Sequence, residues 1–253
     1  MSRGLVDYRV LLDVITAEAG LLAAAVDGQR PERQVPACPG LNLGEAARHV
    51  GSTYRMVTTW LREGSQPLVW QQDPFDGQTL AEYVRAGAGP LVEELAVREP
   101  EAFCRTWWPD EQNHAFWARR LAHESTVHRM DVQSAAGLPL SPVADDVAVD
   151  GVDEVLSLWL GHRLDVLGVR GTREATVSLR TGGRVWLAGS GPRPATARLV
   201  PRDGPWSADG DVTAPPTTLY RWLWGRLPDR DVVTRGDRDA IAQLWALLRL
   251  ATK

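Results

Sequence analysis

Lysine is almost missing from this chain: of its 28 basic residues only Lys253, at the very end of the 253, is a lysine, and the other 27 are arginines. That excludes chemistry built on an amine held inside a fold, such as a pyridoxal Schiff base, a phosphate-loop lysine or a kinase-type strand lysine. Cysteine is equally sparse. Cys38 and Cys104 are too few for a disulfide framework. Isoleucine (Ile15, Ile241) and asparagine (Asn42, Asn113) occur twice each, which with the arginine excess fits a GC-rich coding genome. No stretch approaches the ~18 consecutive apolar residues of a membrane span. The opening MSRGLVDYRVLLDVITAEAG has Asp7, Asp13 and Glu18 where a signal peptide would be apolar. A net charge of -4 with no arginine-rich run argues against general nucleic-acid binding, since a phosphate-tracking surface makes a domain basic. The expectation is a cytoplasmic protein that handles small molecules, without nucleic-acid or membrane partners.

Tryptophan is abundant instead: its 11 copies outnumber Phe and Tyr together, so indole rings line cores or pockets. The length suits one large or two modest domains. The first part reads as four helices. Leu5, Tyr8, Leu11, Leu12, Ile15, Ala19 and Leu22 recur mostly at spacings of three and four, the helical period. Asn42 and Glu45 form a capping pair that opens a second helix through Leu61. A third, from about Thr79 to Ala96, is weakened by Gly87, Gly89 and Pro90. The fourth, from about Asn113 to Ala136, is stopped by Gly137 and Pro139.

Beyond Pro142 the texture changes. A helical stretch from Asp150 to Leu167 precedes short β-leaning runs, ATVSLR, RVWLAG, ATARLV and GDVTA, separated by turn-forming TGG, GPRP and PRDGP. Two helical segments, PTTLYRWLWGR and RDAIAQLWALLRLA, close the chain. The fold class expected is a mainly α four-helix bundle over residues 1–140 followed by a smaller α+β domain over residues 148–253.

The fourth helix carries the chemistry. Its stripe Trp117, Leu121, Glu124, His128, Asp131, Ala135 follows one helix face, which in a bundle points inward, yet half of it is ionisable. Buried carboxylates and imidazoles are costly unless paired or ligating. Glu124 and His128, four apart, can hold one ion together, and the second helix offers His49 as a third donor. His123, five positions before His128, points elsewhere, so the string is not the HExxH of zinc proteases. Two imidazoles and one carboxylate leave coordination positions open. Zn²⁺ and non-haem Fe²⁺ both suit such a set, and zinc is the expectation. Asp131 is placed to accept from the His128 ring and orient it. A Glu/His pair at this spacing is also common on solvated helix faces, so spacing leaves both readings open.

The segments VPACPGLNLGEAARHVGSTYRMV and FWARRLAHESTVHRMDVQSAAG resemble the two signature segments of the mycothiol-dependent maleylpyruvate isomerase family, whose members are DinB-like metal-binding four-helix bundles. GVDEVLSLWL and TTLYRWLWGRLP resemble that family's C-terminal, sterol-carrier-like α+β domain, so the likeness spans nearly the whole chain. It implies a metal held by His49, Glu124 and His128. One departure stands out: members usually carry a tryptophan and then Thr or Ser where this chain has Leu41 and Asn42. The resemblance further implies mycothiol or another low-molecular-weight thiol as cosubstrate. A divalent ion lowers the thiol pKa, and the thiolate attacks a small electrophile to give either a conjugate or a cis/trans isomer.

Neither cysteine is needed for this, and Cys38 is expected to be a small buried packing residue. Any anion must be gripped by arginine. Arg85 and Arg226 are candidates, with solvated surface charge the alternative for each. Arg120 is expected only to pair with a nearby acid, and Trp222 and Trp224 to pack in a core. His114 and His162 look like surface or helix-end residues. Two other function classes use the same features: a non-catalytic small-molecule-binding or resistance protein, and a non-haem iron oxygenase. Turnover with thiol and metal separates the first from an enzyme, and dependence on dioxygen identifies the second.

Overall fold

The fold was analysed in a computed structural model that describes residues 4–252, so Lys253 lies outside the described residues. The chain divides into two compact units, Met1–Pro142 and Val143–Lys253.

The first unit is a bundle of four helices, α1 (Tyr8–Val26), α2 (Leu43–Glu63), α3 (Leu80–Ala96) and α4 (His114–Ala136). Their starts are set by side-chain caps: Asn42 with Glu45 at α2 and Thr79 with Glu82 at α3 form reciprocal capping boxes, and Asn113 caps α4 through the Phe116 amide. Gly64 and Gly137 end α2 and α4 in the left-handed conformation, at φ 75° and 71°. Helix α1 packs on α3 and α4, and α2 packs on the same two, so α1 and α2 lie diagonally across the core.

One expectation in this unit holds over its expected span in spite of the weakening residues, and one needs correction. Helix α3 runs unbroken through Gly87, Gly89 and Pro90. Gly89 and Pro90 sit on its exposed side, whereas Gly87 is buried where α3 approaches α2: a Cβ there would fall 3.0 Å from the Gly51 carbonyl oxygen. Helix α4 is buried on nearly every side rather than along one stripe, and Arg119, Arg120, His123, Arg129 and Asp131 are all inside. Some of its polar groups are satisfied locally, as in the hydroxyls of Ser125 and Thr126, which donate to the carbonyls of Leu121 and Ala122 one turn back. At the far end, fully buried Arg129 is gripped by Glu18 of α1 at 2.5 and 2.9 Å and donates to Gln133 and to the Ser141 carbonyl.

The second unit opens with α5 (Asp145–Glu154), a π-helical stretch (Val155–Arg163) and the short α6 (Leu164–Val166). This helical run begins five residues before the expected Asp150, with Asp145 and Asp146 in its first turn, where the helix dipole favours negative charge. Strands β1 (Ala175–Thr181), β2 (Arg184–Ser190), β3 (Thr196–Val200), β4 (Gly210–Thr213) and β5 (Val233–Gly236) form a sheet in the order β3-β2-β1-β4-β5. All pairings are antiparallel except β1 with β4. Strand β5 was not anticipated from the sequence: it is four residues long, lies at the sheet edge and is largely exposed, so it carries no apolar alternation. Helices α7 (Pro216–Leu223) and α8 (Arg238–Ala251) complete the unit. Trp222 and Trp224 are buried within it, and the Trp222 indole donates to Asp229. Among the described residues no helix is long and apolar enough to cross a membrane.

Candidate metal centre

Helices α2 and α4 bring three of the singled-out residues to one point. His49 Nε2 lies 2.8 Å from Glu124 Oε1, and His128 Nε2 lies 3.2 Å from the same oxygen. One ligand atom from each residue falls within 4.8 Å of the others. The two histidine rings meet edge to face at 5.1 Å between centroids. With metal bonds of about 2.0–2.2 Å, donors around a tetrahedral ion stand a little over 3 Å apart, so this set fits a divalent ion with small adjustments. Each donor is partly open: the side chains of His49, Glu124 and His128 keep 33%, 13% and 16% of their surface exposed.

The electrostatics pull the two α4 residues apart in acidity. Burial alone would raise the Glu124 pKa. The His128 charge, hydrogen bonds from His128 and His49, and the nearby Arg120 guanidinium overcome that and hold the carboxyl well below its usual range. Burial would lower the His128 pKa. The Glu124 carboxylate, with Asp131 on the other side of the ring, raises it to about 9. Asp131 is buried and places Oδ2 3.3 Å from His128 Nδ1, a distance for charge pairing but without the alignment of a hydrogen bond.

The surroundings contain residues that sequence reasoning missed. Trp70, from the segment between α2 and α3, packs edge to face with the His49 ring, 5.5 Å between centroids. An indole therefore does flank the site, although Leu41 stands where the resemblance led one to look for it. Trp70 is held there indirectly: Ser52 Oγ binds the backbone of Gln72, and the Tyr83 hydroxyl binds both Ser52 and the Gln72 carbonyl. A cavity of about 230 Å³ opens beside His49, lined by Gly40, Leu41, Glu45, Arg48, Ser52 and Gln71. The buried Tyr54 hydroxyl meets Ser125 Oγ at 2.6 Å, joining α2 to α4 beside Glu124. Burial raises the Tyr54 pKa, so it remains a neutral hydrogen-bonding group.

The other predicted residues are distributed differently. Arg85 is exposed on α3, near Glu82. Arg226 belongs to the second unit, where its Nη1 donates to the Trp224 carbonyl at 2.6 Å. Arg120 pairs with Glu124 itself, at 2.6 Å from Oε2. Cys38 is half-buried rather than enclosed, and Cys104 is the buried thiol. His114 begins α4 and is buried, with Nδ1 3.1 Å from the Glu99 carbonyl oxygen; His162 is half-buried.

Comparison with known proteins found a family model, described as the mycothiol maleylpyruvate isomerase N-terminal domain, that matches residues 12–133. Among solved structures, that of the mycothiol-dependent maleylpyruvate isomerase aligns with a TM-score of 0.61 and 11% identity over 92% of this chain and 95% of that one. A mutant of that enzyme with one histidine replaced by alanine aligns with a TM-score of 0.59 and 10% identity over the same shares. At such identities the likeness is one of fold. No curated protein matches the chain.

Proposed function

The bundle of this chain belongs to the mycothiol maleylpyruvate isomerase N-terminal domain family, and on that premise we propose that the protein is a thiol-dependent metalloenzyme, an isomerase or S-transferase acting on a small electrophile. The observation that carries this reading is the convergence of His49, Glu124 and His128 ligand atoms within 4.8 Å. Two imidazoles and one carboxylate suit Zn²⁺ and leave positions free. A divalent ion held there lowers the pKa of a thiol, mycothiol in this proposal, enough to supply a nucleophile near neutral pH.

The chain's own residues do the remaining work. Glu124 supplies the negative charge that retains a cation, and the Asp131 charge beside Nδ1 favours the His128 orientation in which Nε2 faces Glu124. Trp70 screens one side of His49 from water. The cavity beside His49 gives an electrophile a place next to that donor, and Arg48 at its wall, paired with Asp73 at 2.6 Å, would meet an anionic group by exchanging that exposed partner. Arg85 and Arg226 are retained as further proposed anion holders. No protein nucleophile is required, which agrees with a buried Cys104 whose thiol is pushed up in pKa by its burial.

Two measurements test the reading. Purified protein should hold about one equivalent of zinc, and a His49→Ala, Glu124→Ala double variant should hold none. Metal that persists stoichiometrically in the double variant would sink the site. Metal-loaded protein incubated with mycothiol, glutathione or bacillithiol and a panel of electrophiles should yield conjugates or isomers by mass spectrometry. No change with any thiol would remove the enzymatic reading and leave a binding protein.

A further inference from the structure

The two oxygens of Glu124 have different employers. Oε1 faces His49 and His128, whereas Oε2 accepts from Arg120 Nη2 at 2.6 Å. Arg120 sits one turn before Glu124 on α4, and only 6% of its side chain is exposed. A buried guanidinium cannot exchange such a partner for water, and charge-assisted hydrogen bonds of this length are among the strongest available to a side chain. We propose that Arg120 is a positioning residue that holds Glu124 as a one-oxygen ligand, deepening the metal-site reading on which it rests.

The consequence is coordinative. A free carboxylate beside a divalent cation swings readily between one and two contacts. With Oε2 committed to Arg120, an ion held here would be met by two ring nitrogens and one oxygen, and the place of a second carboxylate oxygen would be left open. A reaction that joins a thiol to a second molecule needs that vacancy. The guanidinium also offsets the carboxylate charge, so an ion here retains more of its Lewis acidity than one facing an unpaired glutamate.

Cobalt(II), whose visible bands are intense in four-coordinate sites and weak in five- or six-coordinate ones, reports this directly in the full-length protein. Wild type loaded with Co²⁺ should show intense bands. Arg120→Met should lose several-fold in band intensity as Glu124 closes onto the ion with both oxygens, and zinc affinity measured by chelator competition should shift by about 10- to 100-fold, the usual effect of altering a ligand's supporting partner. Arg120→Gln, which keeps a donor near Oε2, should restore much of the wild-type spectrum and guards against a variant that merely fails to fold. An Arg120→Met protein with a native circular dichroism spectrum and wild-type cobalt bands and zinc affinity would overturn this role alone. A wild-type protein that takes up no cobalt would overturn the metal site itself, a distinguishable result.

Discussion

At the scale of single residues, His128 sits between two carboxylates and is held protonated to about pH 9 in protein stripped of metal. Its folded pKa lies above the unfolded value of about 6.5, so the stability it contributes is fully present below pH 6.5 and is lost as pH rises through about 9. The gap corresponds to roughly 3 kcal/mol at most. Urea unfolding of the stripped protein should therefore show a falling midpoint between pH 6.5 and 9.5, and His128→Gln, which cannot titrate, should flatten that slope. A midpoint that rises over this range in wild type would contradict the arrangement. The shared face of Glu124 and His128 was legible in the sequence because helical spacing sets it whatever the rest of the fold does, whereas their role as ligands came from the resemblance and is a proposal. The places of Trp70 and Arg48 were not legible. Trp70 comes from a segment without periodicity, and its place against His49 follows from hydrogen bonds among Ser52, Gln72 and Tyr83 that span 11 to 31 residues of chain.

Between elements, the close approach of α2 and α3 governs the site from behind. A Cβ on Gly51 would lie 2.6 Å from the Tyr83 ring. That ring is buried and its hydroxyl is anchored at Ser52 and Gln72, so it has no room to retreat. Alanine normally gains about 1 kcal/mol over glycine inside a helix. Here overpacking, typically about 1–3 kcal/mol, should reverse the sign, and Gly51→Ala should lower the urea midpoint while reducing metal retention as Trp70 and His49 lose their support. A Gly51→Ala protein more stable than wild type would show that α2 and α3 can separate at little cost. The same packing explains why Gly87 and Pro90, read from sequence as weaknesses of α3, do not break it: close contact on one side and solvent on the other suit those residues. The π-helical stretch was also hidden. Val152, Leu156, Leu160 and Leu164 are buried at a strict spacing of four, which drifts around an α-helix of 3.6 residues per turn but stays closer to one line when turns widen, and only a structure shows which is chosen.

Across the whole molecule, each unit has its own core, and all three proposed ligands belong to the first. The Glu18–Arg129 pair joins α1 to α4 in that core, and Arg129 and Gln133 carry the linkage on to Ser141. Removing one charge should leave the other buried and poorly compensated, a loss of about 3–5 kcal/mol. Glu18→Ala is therefore expected to lower the unfolding midpoint sharply, and a Glu18→Leu, Arg129→Met double variant to recover much of the loss. Additive losses in the double variant would show that the two side chains act independently. The division into a helical part and a later mixed part was readable because short strand-like runs bounded by turn residues, absent before Pro142, appear from about residue 175. Edge strand β5 escaped because exposure removed its pattern.

The anchor at Ser141 sets a seam. At that residue the chain is tied into the bundle by part-buried hydrogen bonds with Arg129 and Gln133, and all three proposed ligands lie on the near side. A gene fusion that exchanged everything after Pro142 would carry the three proposed ligands across together, so a lineage could retain them while trading companion domains, much as a tool keeps its blade and changes its handle.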